Sequence, residues 1–136
     1  MTPAMPANPA APPASFPTVA EALRQALEFH RDGCLVDAER LYRAILDAEP
    51  AQPDALHNMG VLQMQGINPA AALSWFHAAL EAQPQNRQCW LSYAEALLEA
   101  GQAEDARLVI STGRGAGLDG EDADLLEARI IGACMK

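Results

Sequence analysis

PAQPDALHNMGVLQMQGINPAAALSWFHAALEAQP, residues Pro50 to Pro84, is bounded by two prolines 34 residues apart. The same step links Ala38, Ala72 and Ala106, and again Tyr42, Phe76 and Ile110. Three frames follow from it, 19–52, 53–86 and 87–120. Position 8 of each frame holds a small residue, Ala26, Gly60 or Ala94, and position 20 holds alanine throughout. Small residues at both places let two antiparallel helices approach closely, and the bulky group at position 24 fills the space beside them. A period of this length marks stacked copies of one helical hairpin, each too small to bury its own apolar face.

Local signals agree with the frames. Leu23, Ala26 and Leu27 follow the i, i+3, i+4 spacing of an amphipathic helix, interleaved with Glu21, Arg24, Gln25 and Glu28. Thr18 with Glu21 forms a capping box, and Asn68-Pro69 supplies an N-cap and a first-turn proline. Gly33, Gly66 and Gly101 punctuate the frames where one helix ends and the next begins. Helices are expected over 19–32, 35–48, 53–66, 69–82, 87–100 and 103–115. Gly113 and Gly115 are expected to loosen the end of the sixth. A seventh, 121–134, would cap the stack, with Glu121, Asp122 and Asp124 suiting its positive N-terminal end.

These positions resemble the tetratricopeptide repeat over about 100 of the 136 residues. Gln25 stands where the family has an apolar residue, and Leu118 where it has a third closing proline. The resemblance implies an all-α, right-handed superhelical stack of three hairpins and a C-terminal cap, spanning 19–134. It also implies that the first helix of each hairpin lines a concave groove. Carried over, the groove positions name His30 with Leu23, Leu27 and Arg31 in the first frame. The second frame gives Asp54, His57, Asn58, Val61, Met64 and Gln65, and the third gives Gln88, Leu91, Glu95, Leu98 and Glu99. Leu23, Leu27, Leu91 and Leu98 suit the core between helices equally well. Members that clamp acidic chaperone tails use lysine, asparagine and arginine where this chain has Leu23, Gln88 and Ser92, so that clamp is absent. The run Asp54 to Leu62, and Trp90-Leu91-Ser92-Tyr93, are similar to arrays that precede bacterial glycosyltransferase or sulfotransferase domains.

Composition narrows the function classes. Residues 1–18 hold six of the ten prolines and no charge, which reads as a disordered leader. That segment has neither the basic start nor the unbroken apolar core of a secretory signal. Three cysteines at different frame positions, Cys34, Cys89 and Cys134, suggest reduced, buried or half-buried thiols in a cytoplasmic protein. The formal net charge of -9 disfavours nucleic acid and anionic membrane as partners and favours a basic or apolar peptide. No catalytic constellation emerges. His30 and Cys34 lack the further ligands a zinc site needs, and Gly113-Arg114-Gly115-Ala116-Gly117 follows no strand. The expectation is a non-enzymatic interaction module without cofactor or metal. Self-association through Ile130 and Ile131 on the seventh helix, or service as the repeat portion of a protein glycosyltransferase, are the alternatives.

Overall fold

A computed structural model describes residues 18–135; the expectation of a disordered leader falls outside these, apart from Thr18. Every element among the described residues is helical: α1 Val19–Arg31, α2 Leu35–Ala48, α3 Pro53–Leu62, α4 Pro69–Ala82, α5 Arg87–Glu99, α6 Ala103–Gly115 and α7 Glu121–Cys134, with a π-helical turn, Gln63–Ile67, between α3 and α4. They form three antiparallel hairpins, α1–α2, α3–α4 and α5–α6, each packed on the next, with α7 against α5 and α6.

The small residues do what their spacing requires. Ala26, Ala38, Ala72, Ala94 and Ala106 are fully buried at the helix crossings. Tyr42, Phe76 and Ile110 are buried beside them, and Ile45, Ala79 and Gly113 close the same layer at position 27. Gly60 goes further than its alanine counterparts. A methyl group on it would sit 2.5 Å from the Phe76 ring, so in the middle hairpin the ring occupies the volume that alanine fills elsewhere.

Helix ends explain the one irregular junction. α1 and α5 end in Schellman motifs, with Gly33 and Gly101 at φ +82° and +81°. Cys34 N–H donates to Phe29 O at 2.8 Å, and Gln102 N–H to Leu97 O at 2.9 Å. In the middle repeat the equivalent position, 34 residues after Gly33, is Ile67. A β-branched residue does not tolerate the left-handed conformation. The chain instead finishes α3 with a π-helical turn, Gln63–Ile67, and Asn68 N–H reaches Gln63 O at 3.3 Å. Gly66 therefore stands one place early and is not the turn residue that the sequence suggested.

Other local features separate from expectation. Thr18 and Glu21 form the capping box, but Asn68 caps α4 without a side-chain hydrogen bond. α6 runs through to Gly115, and Gly113 packs under Trp90 and Leu118 where a side chain would crowd both. Cys34 is exposed rather than buried or half-buried; Cys89 is buried and Cys134 half-buried. Among the described residues no helix is long and apolar enough to cross a membrane.

The cap belongs to the same periodicity. Ala128 continues the series Ala26, Gly60, Ala94, and Ala123 and Ile130 continue Ala55–Cys89 and Leu62–Ala96. Ala123 and Ile130 are fully buried, as their counterparts are. α7 is thus the first helix of a fourth repeat, fastened by arginines. Arg87 holds both oxygens of Asp122 at 2.6 and 2.9 Å, and Arg114 reaches Asp124 at 2.6 Å and Glu127 at 2.9 Å. The Arg87 guanidinium brings the Asp122 carboxyl down to about 2.

Candidate binding groove

First helices are joined to one another by side chains placed 35 residues apart. His30 Nε2 meets Gln65 Oε1 at 2.6 Å, His57 Nε2 meets Ser92 Oγ at 2.8 Å, and Arg87 meets Asp122. A step of one repeat plus one residue is the register in which each first helix lies against its successor. Close backbone contacts are sparser between α3 and α5 than between α5 and α7. The gap between α3 and α5 is a cavity of about 280 Å³ lined by Val61, Met64, Gln65, Phe76, Ser92, Glu95 and Glu99. A second, of about 290 Å³, opens between α5 and α7 and is lined by Gln88, Leu91, Glu95, Asp122, Leu125, Leu126 and Arg129. Glu95 lies in both, so the two cavities adjoin at its side chain and together make a trough along α3, α5 and α7.

Of the groove residues named from sequence, Val61, Met64, Gln65, Gln88, Leu91, Glu95 and Glu99 line this trough, and His57 borders it through its bond to Ser92. Asp54 and Asn58 line neither cavity. His30 is committed elsewhere. Gln65 Oε1 is an acceptor, so Nε2 carries the proton and Nδ1 accepts from the Tyr42 hydroxyl at 3.1 Å. Burial pushes the Tyr42 hydroxyl up to about 12, which keeps it a donor. Leu91 is only 7% exposed and serves the core as well as the second cavity.

Sequence reading missed Phe76 as the floor of the first cavity, and Leu125 and Arg129 in the second. Two of these were within reach of the same rule. One further step of 34 from Leu91 gives Leu125, and from Glu95 gives Arg129. Phe76 sits on the second helix of its hairpin and shows at the groove only because Gly60 leaves it a path.

His57 sits half-buried between Ser92 and the Phe76 ring, whose centroid is 5.4 Å away. Burial lowers its pKa, against smaller opposing effects of Asn58 and Asp54. Below about 6.5, the ordinary pKa of histidine, the unfolded chain takes up a proton that the folded chain resists. His57 therefore favours folding above that pH and ceases to as the pH falls through its folded pKa. Urea midpoints measured at pH 7.5 and pH 5 should fall less in His57→Gln than in the parent chain; equal falls would remove His57 as a contributor.

Stacked helical hairpins sharing a continuous core and a side-chain-lined trough define an α-solenoid. Residues 65–130 match the model of the tetratricopeptide repeat, and the fold around them is that of tetratricopeptide-repeat domains. No curated protein matches it significantly. Among solved structures it is similar to the first repeat domain of Spaghetti (RPAP3) bound to the HSP90 peptide SRMEEVD, at 15% identity and TM-score 0.78, covering 87% of this chain and 94% of that one. The Yersinia enterocolitica chaperone SycD, complexed with a peptide of the translocator YopD, gives 14% identity, TM-score 0.72 and coverages of 91% and 95%. A Thermobaculum terrenum O-GlcNAc transferase mutant gives 23% identity and TM-score 0.66 over 74% of this chain but 19% of that one.

Proposed function

We propose that this chain is a non-catalytic, cytoplasmic protein-interaction module that binds a peptide or protein segment in the trough across α3, α5 and α7. The observation that carries the reading is the trough itself, with an apolar floor of Val61, Met64 and Phe76 and polar groups of Gln65, Ser92, Glu95 and Glu99 above it. Apolar pockets give such a site its affinity, and a few fixed polar groups orient the ligand. Similar folds hold peptides in the Spaghetti and SycD complexes. The ligand differs from the HSP90 peptide SRMEEVD, because Glu95 and Glu99 face the groove here and the clamp residues are missing.

Peptides selected from a randomised display library, titrated into the 15N-labelled chain, test the reading. Amide shifts are expected at Val61, Met64, Ser92, Glu95 and Glu99. Shifts clustered on α2, α4 and α6, or a library that yields no binder, would overturn it. Self-association is the second reading, favoured by Leu125, Ile131 and Met135, which are 62%, 40% and 81% exposed on or just after α7. Ile130 does not support it, being fully buried. A mass in sedimentation that stays monomeric across concentrations would remove that reading. Service as the repeat portion of a protein glycosyltransferase is the third, supported by the likeness to the Thermobaculum enzyme.

A further inference from the structure

We propose that the segment held in this trough is cationic and apolar together: an arginine or lysine close to an aliphatic or aromatic side chain. This rests on the groove reading above and specifies its ligand.

The charge of the first cavity is one-sided. The cavity over Phe76 is lined by two carboxylates, Glu95 and Glu99, and by no basic side chain. Glu95 and Glu99 are one helical turn apart on α5, so both address the same stretch of ligand. Their neighbours across the gap, Val61 and Met64, are half-buried and uncharged. An apolar group resting on Val61 and Met64 would therefore hold an adjoining cation beside the carboxylates. The formal net charge of -9 adds long-range attraction for such a segment and repels acidic ones.

The second cavity contains an internal stand-in for that ligand. Arg129, on α7, approaches Glu95 with Nη1 3.8 Å from Oε2, and both side chains are about half exposed. A pair so long and so exposed is weak. It occupies one carboxylate that an incoming arginine or lysine would take, whereas Glu99 has no ion-pair partner among the described residues. Arg129 is therefore a competitor of the ligand, and removing it should tighten binding. A purely structural role for Arg129 predicts no gain.

The test is a randomised heptapeptide library selected against the full chain, followed by anisotropy titrations of the winners. Enriched sequences are expected to carry Arg or Lys within two residues of an apolar side chain. Their affinity should fall on the order of tenfold in Glu95→Gln/Glu99→Gln and rise severalfold in Arg129→Gln. Added salt should weaken binding to the parent chain more than to the double variant. Circular dichroism melts of both variants should match the parent, because all three side chains are half-exposed. Winners with no cationic bias, or cationic winners indifferent to the Gln substitutions, would overturn the ligand assignment. If such winners still shift Val61, Met64 and Ser92, the groove reading stands without it. A library that returns no binder overturns both.

Discussion

Phe76→Ala will lower the stability of the domain by about 3–5 kcal/mol, measured by urea unfolding followed at 222 nm. The ring is 2% exposed and stands on Gly60, which has no side chain to settle into the void. It also belongs to the middle hairpin, through which the outer hairpins are coupled. In a linear array, stability is a sum of repeat and interface terms, so weakening the centre should also broaden the transition as the two ends unfold separately. Gly60 supplies the control. In the parent chain, Gly60→Ala forces a methyl group into the ring and should cost about 1–3 kcal/mol. In the Phe76→Ala background the same methyl enters empty space and should stabilise. A double-mutant cycle is then expected to show coupling of about 1–3 kcal/mol. Additive effects would mean that residues 60 and 76 do not compete for one volume.

Ile130→Ala will have an effect of similar size but of local character. Ile130 is fully buried, in one cluster with Leu91, Leu97, Ile110, Leu118 and Leu126. Truncation of a buried isoleucine costs about 2–5 kcal/mol. At the end of the stack that loss falls on α7 and the hairpin beneath it. Amide exchange should accelerate across 121–134 and in α5 and α6, while α1 to α4 keep their protection. Uniform acceleration along the chain would show that the array unfolds as a single cooperative unit. The arginine bonds to Asp122, Asp124 and Glu127 will not rescue the variant, since exposed ion pairs contribute about 0–1 kcal/mol each.

Most of the fold is legible in the chain because its packing rule is repeated. The small residues at positions 8 and 20 and the bulky residues at 24 mark buried crossings, and six of the seven expected helices match their bounds to within one residue. The exception is the end of α3. The sequence shows a glycine at 66, but the turn needs one at 67, where isoleucine blocks the left-handed conformation and a π-turn results. A motif-level reading counts glycines, whereas the backbone depends on which residue must take a positive φ.

The groove was less legible, for a geometric reason. Groove positions in the repeat indicate which side chains face inward, but not how far apart adjacent first helices stand. Packing behind the groove also differs between repeats, for in the middle one the Phe76 ring lies directly on Gly60. Asp54 and His30 therefore occupy inward positions without lining a cavity, while a residue from the second helix provides the floor. Leu125 and Arg129 become legible only when the last helix is taken as the opening of a fourth frame rather than as a cap.

The ladder of side-chain bonds at the 35-residue step is one of two connections along the array. The bonds run between the first helices, in series, one junction after another: His30 to Gln65, His57 to Ser92, Arg87 to Asp122. A neutral bond of this kind contributes about 0.5–1.5 kcal/mol, and the exposed Arg87–Asp122 pair about 0–1 kcal/mol. Behind them, buried clusters bridge neighbouring hairpins: Tyr42 with Met59 and Leu62, and Leu56 with Ala79 and Cys89. Each junction is therefore held twice, by a polar clasp on the groove side and by shared core at its back.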